Sequence, residues 1–156
     1  MNPEKAAPCE LLSWDTEFFS RRIARVLGDK LDDAAASTIY EWCAKNQIDA
    51  LYFLGRADDP QTIQTAERHG FDLVDVRVTY RLSPIQLPKI QPKTAAPAIR
   101  PAVPDDIPAL RQIAGSAHRD SRFFNDPHFD RDKARQLYET WIDSESRGRA
   151  DQVLGT

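Results

Sequence analysis

One polar, aromatic loop, residues 118–129, carries His118, Asp120, Ser121, Arg122, Phe123, Phe124, Asp126 and His128. An arginine presents a planar fork of donors that matches phosphate oxygens, so Arg122 could grip a nucleotide-sugar phosphate. Phe123 or Phe124 could stack on a base or a sugar ring. The plainer alternative pairs Arg122 with Asp120 or Asp126 and sinks both phenylalanines in the core. His118 and His128 lack a third ligand at metal spacing, which argues against a metal centre. His69, directly before Gly70, reads as a helix-end residue interacting with the dipole. Asp15, between Trp14 and the Phe18-Phe19 pair, could serve a ligand, but it caps a turn more simply.

The frame for these residues is an ordinary globular one. The chain has 156 residues, 41% hydrophobic and 29% charged, with a formal net charge of −3. That suffices for one domain or two small ones with a core of their own. Apolar runs stay well short of the ~18 residues that span a bilayer, which excludes membrane insertion by a helix. The opening MNPEKAAPCELL lacks the basic region and apolar stretch of a signal peptide. Cys9 and Cys43 stand alone, with no C-x-x-C spacing, and Cys43 falls on an apolar helix face. A buried thiol in a reducing compartment, and so a cytoplasmic protein, is the expectation. The mild acidic balance, with basic residues scattered among acids, argues against nucleic acid as a partner.

The clearest break in the chain is residues 83–98, SPIQLPKIQPKTAAPA, whose four prolines read as an extended linker centred on 84–98. It separates an N-terminal unit, residues 9–83, from a C-terminal one, residues 99–156. In the first, an aromatic-rich opening (Leu11, Leu12, Trp14, Phe18, Phe19) leads to a strand at residues 23–26. Asp32 and Asp33 precede a helix bearing Ala35, Ile39, Trp42 and Cys43 on one face. Residues 51–54 read as a short strand. Asp59-Pro60 reads as an N-cap with proline at the first helical position, and Gly70 closes that helix. Val74, Val76, Val78, Tyr80 and Leu82 alternate with Asp75, Arg77, Thr79 and Arg81, the pattern of a half-buried strand.

The second unit begins with a short strand, Ile99-Arg100-Pro101. Asp105 is placed to cap a helix with Ile107, Leu110, Ile113, Ala114 and Ala117 on one face. After the loop, Asp130 caps a helix whose Ala134, Leu137, Tyr138, Trp141 and Ile142 form one apolar stripe. Gly148 stands in the C′ position. Residues 151–154 read as the beginning of a strand.

Three stretches resemble the branch of the GNAT superfamily that includes dTDP-fucosamine N-acetyltransferase: LLSWDTEFFSRRIARV (11–26), IRPAVPDDIPALRQIA (99–114) and DSRFFNDPHFDRDKARQLYETWIDSESRG (120–148). They occur in the family's order and at its spacing. One departure lies at Ser20-Arg21, where such openings carry Gly-aromatic. Residues 59–82 are also similar to a GNAT domain's closing helix and strand. In that family a tyrosine often stands four residues before the Gly-Phe pair and protonates the departing thiolate. Ala66 occupies that place ahead of Gly70-Phe71, and an alanine has no proton to give.

The resemblance implies a mixed α/β (α+β) fold: an N-terminal GNAT-like half-domain, then the first strand and two helices of the acetyltransferase domain. It implies transfer of acetyl from acetyl-CoA to a small amine, for which a nucleotide-linked amino sugar is the candidate. The connection between the first two helices commonly borders the acceptor in this family. Asp120, Ser121, Arg122, Phe123 and Phe124 are therefore the expected substrate-binding residues.

The cofactor's pyrophosphate needs backbone amides at a helix start and glycines that let the chain approach. The family's pattern is Gln/Arg-x-x-Gly-x-Gly/Ala, and the six glycines here are isolated, with no Gly-x-Gly. The nearest stretch, Glu145-Ser146-Arg147-Gly148-Arg149-Ala150, follows a helix and reads as a helix ending. Acetyl-CoA is accordingly not expected to bind this chain tightly, and the ending VLGT reads as that of a fragment or a shortened or frameshifted form. The competing expectation is a non-catalytic binding or dimerisation module of two half-domains, self-associating through an unfinished sheet edge at residues 151–154.

Overall fold

The computed structural model describes residues 6–83 and 98–155. The chain divides into two units, Met1–Leu73 and Val74–Thr156. The expected linker at 84–97 lies outside the described residues. The division falls before residues 74–82, not after them. Val74 O accepts a bond from Asn125 Nδ2 at 3.0 Å, and Asp75 Oδ2 accepts the Arg122 N–H at 3.3 Å. These contacts draw the segment to the second unit.

In the first unit β1 (Cys9–Leu11), α1 (Ser13–Phe19), β2 (Ile23–Val26), α2 (Asp33–Lys45), β3 (Ala50–Tyr52) and α3 (Pro60–Arg68) follow in order. The sheet order is β1-β2-β3. β1 runs antiparallel to β2, with Cys9 opposite Val26, and β3 runs parallel to it, with Ala24 opposite Leu51. A parallel neighbour needs a crossover, which α2 supplies. Ala24 and Val26 point to one face of β2 and meet Cys9, Leu31, Ala36 and Ile39 in a buried cluster. Trp42, Phe53 and Phe71 pack against it from the side.

Two of this unit's helices start where the sequence placed them. Asp32 Oδ1 accepts the Ala35 N–H at 2.7 Å and Asp59 Oδ1 that of Thr62 at 3.4 Å, satisfying donors that a first turn leaves open. Gly70 takes φ +75°, the left-handed ending expected after α3. The aromatic opening is itself a helix: Trp14 and Phe18, one turn apart in α1, stack with centroids 5.1 Å apart. Asp15 sits in its first turn. Ser20, where the resembling openings carry glycine, has φ 54° and ψ 39°, so the left-handed turn is kept without the glycine.

In the second unit β4 (Arg100–Pro101), a 3₁₀ turn (Pro104–Asp106), α4 (Ile107–Ala117), α5 (Arg122–Asn125), α6 (Arg131–Ser144), a π turn (Glu145–Arg149) and β5 (Leu154–Gly155) follow. β4 and β5 pair antiparallel, with Pro101 opposite Leu154; of the strand expected at residues 151–154 only Leu154 lies in β5. Asp130 Oδ1 caps α6 through the Lys133 N–H at 2.8 Å. Asp106, not Asp105, organises the start of α4: its carboxylate accepts the Val103 N–H at 2.9 Å and pairs with Arg100 at 2.6 Å. Of the face expected on α4, Ile107 and Ala114 are buried, whereas Ile113 is 60% exposed. Gly115 is buried instead, and a Cβ there would stand 3.1 Å from Arg135 Cγ. Glycine lets α4 and α6 close on each other at this point.

Residues 74–82 form no strand. Val76 is 64%, Val78 62% and Tyr80 91% exposed. Alternation gives a segment one apolar face, but a strand exists only where a neighbour supplies the hydrogen-bond ladder. None does among the described residues.

The architecture is mixed α+β with small sheets. Among the described residues no helix is long and apolar enough to cross a membrane.

Candidate functional site

The loop singled out by its chemistry folds around α5. Ser121 precedes the helix, and its carbonyl accepts the Phe124 and Asn125 N–H groups at 2.9 and 3.0 Å. Asn125 Nδ2 donates to Asp120 O at 3.0 Å and fastens the loop's start to α5. This places Asp120, Ser121, Arg122, Phe123 and Phe124 on consecutive positions of one tight turn.

The five residues do not share one environment. Phe123 is 1% exposed and meets Phe129, Tyr138 and Trp141 edge-on, with centroids 5.7, 6.4 and 6.2 Å away. It lies in the core, the alternative the sequence left open. Phe124 is half-buried and lies parallel to Tyr138 at 6.3 Å. The Arg122 guanidinium sits over the Phe123 ring, 4.3 Å from its centroid, where the ring's negative face attracts it. Asp120 is exposed. Ser121 Oγ is buried with no hydrogen-bond partner among the described residues. A buried hydroxyl in that state is a group that a ligand could satisfy.

The loop's histidines take separate partners. His118 stacks on Tyr138 at 4.5 Å. His128 reaches Asp126 Oδ1 at 2.9 Å with its Nδ1 and again with its N–H. No group of three or more histidine, cysteine, aspartate or glutamate side chains placed to hold a metal occurs among the described residues.

A polar cluster in the first unit went unread in the sequence. His69, at the end of α3, places Nε2 2.9 Å from Asp33 Oδ1, and Arg68 reaches the same oxygen at 3.1 Å. The Tyr40 hydroxyl donates to the His69 carbonyl. The His69 hydrogen bond, and then that of Arg68, holds the Asp33 carboxyl below its ordinary range. His69 therefore spends its ring on Asp33 as well as ending a helix. The cluster joins the start of α2 to the end of α3. Cys9 is unsuited to nucleophilic work: burial, and then Cys43, push its thiol up to about 12.

The sequence also missed a cavity of about 480 Å³ in the second unit, lined by Arg111, Thr140, Asp143, Ser144, Arg147 and Arg149. Its arginines come from α4 and the π turn, two stretches far apart in sequence, so only the folded helices gather them.

No protein-family model matches the chain, and no solved structure does. Over 50 residues the chain is 36% identical to the spore coat polysaccharide biosynthesis protein SpsD of Bacillus subtilis. The match takes in 32% of this chain and 17% of that protein. The chain thus matches well under two thirds of its relative's length.

Proposed function

We propose that this chain is part of a sugar-modifying enzyme of polysaccharide biosynthesis, and specifically of a GNAT-like N-acetyltransferase that acts on a nucleotide-linked amino sugar. The observation that carries the sugar reading is the 50-residue likeness to SpsD. Acetyl transfer rests on the three GNAT-like stretches, and the order of helices and short strands is compatible with them. In this reading the turn from Asp120 to Phe124 borders the acceptor. Arg122 supplies a forked cation for phosphate, the Ser121 hydroxyl supplies a hydrogen-bonding group, and the half-buried Phe124 supplies a ring edge. Phe123 supports the turn from beneath.

Acetyl-CoA is the co-substrate of this reading, and its pyrophosphate would need a glycine cradle that the 156 residues do not spell out. We therefore expect acceptor binding by this chain without tight coenzyme binding. Saturation-transfer NMR with a dTDP-linked amino sugar tests the first part, with transfer to the ligand in the parent and loss of it in Arg122→Ala. Absence of transfer in the parent, or transfer undiminished in the variant, would sink the acceptor assignment. Calorimetric titration with acetyl-CoA of the parent and of Arg149→Gln, which alters the arginine-lined cavity, tests the second part, and micromolar affinity in both would refute it.

A further inference from the structure

The cavity between α4, α6 and the π turn is lined by three guanidinium groups, from Arg111, Arg147 and Arg149, and by the Asp143 carboxylate, with Glu139 and Glu145 beside them. Arg147 engages that carboxylate closely, with Nε 2.7 Å from Oδ2 and a second nitrogen 3.3 Å from Oδ1. The other two arginines are held loosely. Arg111 stands 3.6 Å from Glu139 and 3.9 Å from Asp143, and Arg149 stands 3.6 Å from Glu145. Charge-assisted N–H···O bonds close to about 2.7–2.9 Å, so these three pairs are attractions without hydrogen bonds. Their arginine side chains are also 49% and 60% exposed, where water weakens such pairs further.

The turn that carries Arg147 and Arg149 is shaped for the purpose. Gly148 between them has φ +109°, a conformation that a side chain would strain. The lining adds the hydroxyls of Thr140 and Ser144. A cavity of about 480 Å³ falls within the range of small-molecule sites, roughly 300–1,000 Å³.

We propose that this cavity binds the pyrophosphate group of a small molecule. Two linked phosphates can offer one phosphoryl group to each of Arg111 and Arg149, which stand on different elements, and leave Arg147 on Asp143. The long contacts to Glu139 and Glu145 would give way to short ones. The site is separate from the turn at Asp120 to Phe124 and does not depend on the acetyl-transfer reading.

The test is calorimetric titration of the full chain with inorganic pyrophosphate, orthophosphate and uridine diphosphate. Pyrophosphate and uridine diphosphate should bind at least about ten-fold more tightly than orthophosphate, with affinity falling as salt rises. Arg111→Gln and Arg149→Gln should each weaken pyrophosphate about ten-fold or more, while Arg131→Gln, on the exposed first turn of α6, should not. Circular dichroism on each variant checks that the helices are retained. Equal affinity for orthophosphate and pyrophosphate, no binding at millimolar pyrophosphate, or equal losses in all three variants would overturn the proposal.

Discussion

The two units bury different material and leave different groups facing outward. The first packs small and aliphatic side chains, Ala24, Val26, Leu31, Ala36 and Ile39, under a three-stranded sheet, and its polar groups close on one another. Thr62 is 2% exposed, yet its Oγ1 accepts the Leu31 N–H and meets Asp59 Oδ2, both at 3.2 Å. Asp33, Arg68, His69 and Tyr40 likewise satisfy each other. The second unit has two residues of strand on each side of its ribbon and relies on an aromatic knot around Phe123. Among the described residues it leaves buried hydroxyls at Ser121 and Ser146 without hydrogen-bond partners, and it gathers arginines around a cavity. Completed polar networks make a scaffold, whereas incomplete ones are where a ligand has bonds to make. That difference is the reason both of our proposals turn to the second unit.

The sharpest way to break this contrast is at Phe123. If its ring is core, Phe123→Ala should destabilise the protein by about 3–5 kcal/mol, and Phe124→Ala by much less because that ring is only half-buried. Urea denaturation measures both. A Phe123→Ala chain as stable as its parent would return the ring to the substrate and undo the assignment. A smaller effect tests the closed polar groups of the first unit. Thr62→Val keeps the shape but strands the buried Leu31 N–H, so a loss of about 1–3 kcal/mol is expected in the same assay. An unchanged midpoint would mean that Leu31 finds another acceptor.

The smallest effect is the response to acid. The depressed Asp33 carboxyl contributes stability that is fully present above the ordinary aspartate range and is lost as pH falls through its folded value, below about pH 4. In the second unit Asp143 is lowered mainly by its hydrogen bond from Arg147, one helical turn away. The Asp33 group spans 35 residues and joins two helices. Melting temperatures between neutral and acid pH should therefore show a flatter acid limb in Asp33→Asn than in Asp143→Asn. The effect is small because the Asp33 side chain is 70% exposed. Identical acid limbs would mean that the helix-to-helix pair contributes nothing.

What the sequence disclosed follows the range of the forces involved. Asp32, Asp59 and Asp130 cap the helices they precede, and Gly70 and Gly148 take left-handed backbone, because caps and turns are decided within a few residues. The strand at Ile23–Val26 was legible from its apolar content. Residues 74–82 were not, since alternation cannot tell whether a neighbouring strand will arrive. α1 was hidden by its aromatic density, although Trp14 and Phe18 hold the one-turn spacing that marks it. At the site, the composition of residues 118–129 was plain. Which phenylalanine faces inward was not, because it is decided by how each ring meets α6 downstream, Phe123 edge-on to Trp141 and Phe124 parallel to Tyr138. The arginine cavity was out of reach for the same reason: Arg111 and Arg147 meet only when α4 packs on α6.

Residues 74–82 have one more effect. They hold the side-chain rhythm of a sheet member while belonging to none among the described residues, with Val76, Val78 and Tyr80 turned to water. A strip of this kind offers unpaired backbone groups to an open edge, and in a concentrated sample the nearest candidate is the same strip on another molecule, so loss to aggregates is expected to follow concentration. Crowding, before warming, is then the stress that a preparation of this protein has to be guarded against.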